Sequence, residues 1–137
     1  MIMKTIGWAI VGSMLFGCVS GQMPMPKGYL TEPELKQINV ERQKIVKECR
    51  SRHTPLESAA WECLRELVPI TAQMGSEYSE SWASYLKQNK RIARRFEKGV
   101  ISEQDALDDM SRIVGQLVLD MQVLEEQIER QQAIAKL

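Results

Sequence analysis

An unbroken series of apolar residues, Leu107, Met110, Val114, Leu117, Met121, Leu124 and Ile128, recurs at alternating steps of three and four residues. Side chains at that spacing share one face of an α-helix, whereas the faces of a strand repeat every two residues. Sustained over several heptads, such a seam demands a cover of matching length, from elsewhere in the chain or from a second chain. One side of an intramolecular bundle is the simpler expectation. A helix running from Ser102 toward the end of the sequence approaches about 50 Å and overhangs the helix before it by about a dozen residues. Leu117, Met121, Leu124 and Ile128 are therefore the candidate interface for a protein partner or for self-association.

The remainder of the chain after residue 30 also reads as helix. Thr31, followed three residues later by Glu34 and with Pro33 in the first turn, forms a capping box that starts a first helix. Its buried stripe is expected to be Leu35, Ile38, Ile45, Val46 and Cys49. Thr54-Pro55-Leu56-Glu57 repeats the device and starts a second helix carrying Leu56, Ala59, Ala60, Cys63, Leu64 and Leu67 on one face. Pro69 bends or ends that helix, and Gly75-Ser76 marks a break. A third helix, from about Glu77 to Lys98, has the seam Tyr78, Trp82, Tyr85, Asn89, Ile92 and Phe96. Gly99 closes it as a left-handed cap, and Ser102 with Asp105 opens the fourth. The expected fold is all-α: two linked helical hairpins forming a small bundle, with a long C-terminal heptad helix.

The N-terminus reads as an address. Lys4 precedes an apolar stretch from Ile6 to Phe16, which ends in Leu15-Phe16-Gly17-Cys18. These residues resemble the signal peptide of bacterial lipoproteins. The resemblance implies cleavage before Cys18, a diacylglycerol on its sulfur and a third acyl chain on the new amino end. Three chains make an effectively permanent anchor, since each buried methylene contributes about 0.8 kcal/mol. A spanning helix needs about 20 apolar residues, more than this stretch supplies. In enterobacterial lipoproteins an Asp after the lipidated cysteine signals inner-membrane retention; Val19 stands there, which favours the periplasmic face of the outer membrane. The organisation that follows is 1–17 signal peptide, 18–30 lipidated cysteine and flexible tether rich in Gly and Pro, and 31–137 periplasmic helical domain.

That address sets the cysteine chemistry. With Cys18 assigned to lipid, Cys49 and Cys63 remain as an even pair in an oxidising compartment, and a disulfide between the first two helices is expected. By helical rise the two positions differ in depth by about 6 Å, which a tilted crossing has to absorb. Their spacing matches no metal-site pattern.

Charge excludes other classes. With 18 basic and 18 acidic side chains the formal charge is zero, so no polyanion partner such as nucleic acid is implied. Lys87, Lys90, Arg91, Arg94, Arg95 and Lys98 make the third helix basic, but Glu103, Asp105, Asp108 and Asp109 follow and are expected to neutralise them across the hairpin. His53, the single histidine, sits beside Arg52 in a predicted turn and reads as solvated, as does the cluster Glu125, Glu126 and Glu129. No phosphate-binding loop, metal-ligand set or cofactor motif is present in the sequence. The expectation is therefore a non-enzymatic structural or interaction component of the cell envelope, without cofactor. Alternatives are an exclusion or inhibitor lipoprotein of a mobile element or phage, and a carrier of a small apolar ligand in a cleft lined by Trp82, Tyr85 and Met121.

Overall fold

The computed structural model describes residues 28–137. The expected signal peptide, Cys18 and most of the expected tether lie outside the described residues. Five α-helices follow: α1 (Glu32–Arg52), α2 (Ser58–Cys63), α3 (Leu67–Thr71), α4 (Ser76–Glu97) and α5 (Glu103–Ala135). Single 3₁₀ turns, Leu64–Glu66 and Ala72–Met74, join α2 to α3 and α3 to α4. No strand occurs among the described residues. The chain is a helical bundle built from two linked hairpins, and α4 is its hub. The long α5 packs along one side of α4, α2 and α3 pack against the other, and α1 closes over the short helices.

The local signals act as their chemistry dictates at three of the four helix boundaries. Thr31 caps α1: its hydroxyl accepts from the Glu34 amide at 3.4 Å, and the Glu34 carboxylate accepts from the Thr31 amide at 3.0 Å. The α4–α5 hairpin turns on Gly99, whose φ of +72° is the left-handed region. The Gly99 amide donates to the Phe96 carbonyl and the Val100 amide to the Arg95 carbonyl, both at 2.9 Å, the paired bonds of a Schellman ending. Ser102 then caps α5 by accepting from the Asp105 amide at 3.1 Å.

The second boundary departs from expectation. Thr54-Pro55-Leu56-Glu57 forms a turn closed by the Glu57 amide on the Thr54 carbonyl at 3.1 Å, and α2 begins only at Ser58. The reason is Trp61. Its indole N–H donates to the Pro55 carbonyl at 2.7 Å, which holds that carbonyl at the edge of the ring instead of along a helix axis. Pro69 also acts differently, lying inside α3 while the break falls one turn earlier. Its ring lacks an N–H and crowds the carbonyl four residues back, that of Arg65; residues 64–66 there take the tighter 3₁₀ winding.

The core centres on aromatic rings that α4 shares with its neighbours. Trp61 is 1 % exposed and meets the edge of Tyr85, ring centroids 5.8 Å apart; Tyr85 in turn meets Trp82 at 5.4 Å. Edge-to-face pairs of this kind add about 0.5–1.5 kcal/mol each beyond burial. Arg42 of α1 lies 4.8 Å above the Trp82 ring and donates to the Met74 sulfur at 3.8 Å. Arg42 thus occupies the buried stripe of α1 with Ile38, Val46 and Cys49, and Leu35 and Ile45 flank it. Cys49 and Cys63 lie with their sulfurs at the bonding distance of 2.06 Å and their Cα atoms 5.8 Å apart. The late start of α2 makes this possible. Cys63 falls in its second turn, and the difference in depth from Cys49 shrinks to about 3 Å.

Candidate functional site

The inward seam of α5 is core. Leu117, Met121 and Ile128 are buried within the chain's own bundle and Leu124 is partly buried against it. These four residues, expected as a partner interface, are corrected to an internal role: α4 and its neighbours supply the cover that the heptad pattern demands. The outward face of the same helix is different. Leu119 and Val123 are 56 % and 52 % exposed, and Ile134 is 69 % exposed. Beyond Ile128 every residue of α5 is exposed, so the last two turns project past the body of the bundle.

That projecting end lies where the tether joins. The Glu125 carboxylate accepts from the Tyr78 hydroxyl at 2.6 Å and from the Gly28 amide at 3.2 Å. Burial, followed by the bond to Glu125, pushes the Tyr78 phenol well above its ordinary pKa, so it stays a donor throughout the accessible pH range. The Tyr29 amide donates to the Met74 carbonyl at 3.1 Å, and Leu30 is 7 % exposed. Residues 28–30 therefore pack on the bundle. Gly28 is required there: its φ is +58°, and a Cβ would stand 2.3 Å from the Met74 carbonyl oxygen. Glu125 is corrected from a solvated carboxylate to the acceptor that fastens Gly28 to the bundle.

The other expected sites resolve as structure. His53 caps the end of α1 and its Nδ1 lies 3.0 Å from the Glu57 carboxylate, which this bond holds below the usual carboxylate range. Lys90 does not face the acidic residues of α5; it bonds Glu62 of α2 at 2.5 Å. Glu62 also accepts from Arg65 at 2.8 Å, and the two cations hold its carboxyl down to about 2. Asp109 pairs with Arg112 and Asp108 accepts from Gln104, both partners on α5 itself. Trp82, Tyr85 and Met121 are 7 %, 2 % and 8 % exposed, and the two aromatic faces are taken by each other, Trp61 and Arg42. They pack in the core, and of the three only Tyr85 also lines the groove between α4 and α5.

Two surface grooves flank α4. One of about 410 Å³ lies against α5 and is edged by Ser81, Gln88, Asp109, Arg112 and Gln116. The other, of about 510 Å³, is floored by Trp61, Val68, Pro69 and Leu86 and edged by Glu62, Lys87 and Lys90. No cluster of three or more His, Cys, Asp or Glu residues able to hold a metal occurs among the described residues. No described helix is long and apolar enough to cross a membrane. No family model, curated protein or solved structure matches the chain.

Proposed function

We propose that this chain is a lipid-anchored bacterial lipoprotein, held through Cys18 at the periplasmic face of the outer membrane. There it acts as a non-enzymatic structural or interaction component of the envelope. The observation that carries the reading is the outward face of α5, apolar at Leu119, Val123 and Ile134, on a helix whose last two turns run past the bundle close to the contact between Glu125 and Gly28. An exposed apolar stripe rimmed by charge suits protein contact better than solvent. The Leu15–Cys18 motif supports the anchor, and the juxtaposed Cys49 and Cys63 suit an oxidising compartment.

Two measurements in the host test it. Cys18→Ala is expected to abolish incorporation of labelled palmitate and to release the chain from the outer-membrane fraction. A photo-crosslinking residue at Val123 is expected to capture protein, while one at the exposed α1 residue Val40 is not. Palmitate-free wild-type protein would end the anchored reading, and an unreactive position 123 would end the contact reading.

A further inference from the structure

The outward face of α5 carries a second heptad series. Leu119, Val123, Glu126, Arg130 and Ala133, continued by Leu137 just past the helix end at Ala135, recur at steps of four, three, four, three and four residues. All six are exposed, and the series lies opposite the seam that α4 covers. Such a stripe on a helix already packed on its other side is the half-interface of a coiled coil. The contact reading proposed above is its basis, and the series itself specifies which partner fits.

We infer that the partner is a second copy of this chain, with its α5 antiparallel and the two-fold axis passing near Ile128. In that register Leu119 faces Leu137 of the second copy, Val123 faces Ala133, and Glu126 faces Arg130. The two-fold repeats each contact in reverse, as an isologous interface requires. Apolar residues therefore meet at both ends, and two Glu–Arg pairs meet in the middle. Within one copy Glu126 and Arg130 already lie 3.8 Å apart, their side chains 64 % and 75 % exposed. A parallel pairing sets Glu126 against Glu126 and Arg130 against Arg130, a like-charge arrangement that charge complementarity disfavours. A slip of one heptad sets apolar residues against these charges.

The tether geometry agrees. Gly28 is bound at Glu125, within one helical turn of the axis, so both tethers leave near the centre of the pair and can enter one bilayer. The overlap, about 15 residues or 22 Å of helix in both copies, is short for a stable interface. Anchoring both copies in one membrane raises their effective concentration and makes a modest contact sufficient.

The test uses the full chain, matured in a Gram-negative host and extracted in mild detergent. Sedimentation velocity is expected to show a concentration-dependent dimer. Glu126→Arg or Arg130→Glu alone is expected to weaken it by about tenfold or more, by opposing like charges, while the double exchange restores it. Circular dichroism controls for folding of these surface variants. Co-produced Leu119→Cys and Leu137→Cys copies are expected to crosslink with each other and neither with itself. A wild-type monomer at all concentrations, a double exchange that fails to restore pairing, or self-crosslinking of Leu119→Cys overturns the proposal. A monomer that still crosslinks a different envelope protein from position 123 overturns self-pairing and leaves the contact reading standing; a monomer that crosslinks nothing sinks both.

Discussion

The two hairpins of this bundle are held by different means. The α4–α5 hairpin is regular: two long helices, a Schellman turn at Gly99 and a serine cap at Ser102. Its seam is buried at Ala106, Leu107, Met110, Val114, Leu117, Met121 and Ile128 and partly buried at Leu124. The hairpin of α1 with α2 and α3 is irregular, with helices of only six and five residues in its second arm and 3₁₀ turns between them. So short a helix contributes little by propagation. Its hold comes from one ring, Trp61, and from the Cys49–Cys63 juncture. Where local periodicity is weak, a large anchor and a covalent closure replace it.

The sharpest way to break this contrast is Trp61→Ala. The ring is 1 % exposed and bonds Pro55, Tyr85 and the α4 face together, so its loss is expected to cost about 3–5 kcal/mol in thermal or urea unfolding. Next comes the pair Cys49→Ala with Cys63→Ala. Opening a loop of about 15 residues is expected to cost about 3 kcal/mol. Amide exchange should then quicken in α1–α3 before α4–α5; uniform acceleration would show that the hairpins are not separately held. In the regular hairpin a single cap matters less. Ser102→Ala is expected to cost about 1 kcal/mol, read as a lowered unfolding midpoint.

The smallest effect is a pH dependence where the irregular hairpin meets α4. Glu62 has its carboxyl lowered to about 2 by bonds from Lys90 and Arg65. A carboxyl depressed on folding stabilises fully above its unfolded pKa of 4.5 and loses that contribution as pH falls through about 2. Glu62→Gln is therefore expected to flatten the loss of melting temperature between pH 5 and pH 2. Because the pair is exposed, the change should be slight and should vanish in high salt.

Legibility in the sequence followed the same division. Thr31, Gly99, Ser102 and the bounds of the third helix could be read because each acts within a turn or two of itself. Asn89, a polar member of the α4 seam, was readable by position, and it is fully buried with its amide donating to the Tyr85 carbonyl at 2.9 Å. Trp61 was not readable: the device at Thr54 signals a helix through this segment, and only the bond to Pro55 turns its face inward. Arg42 was equally hidden, since a charged residue on an apolar stripe is buried only because Trp82 and Met74, distant in sequence, provide its partners. The inward seam of α5 was legible as one side of an intramolecular bundle, and the candidate interface placed on its C-terminal half did not follow from it. The outward series, diluted by Glu126 and Arg130, shows as a separate face only once the first is known to be covered.

A bundle offering one helix face acts as an envelope component only if Cys18 carries lipid. Intact mass of the protein recovered from its host membranes tests this most directly. The account predicts a chain beginning at Cys18 with three acyl groups and two hydrogens fewer than the dithiol form. A chain retaining residues 1–17, or one beginning at Cys18 without acyl groups, contradicts it.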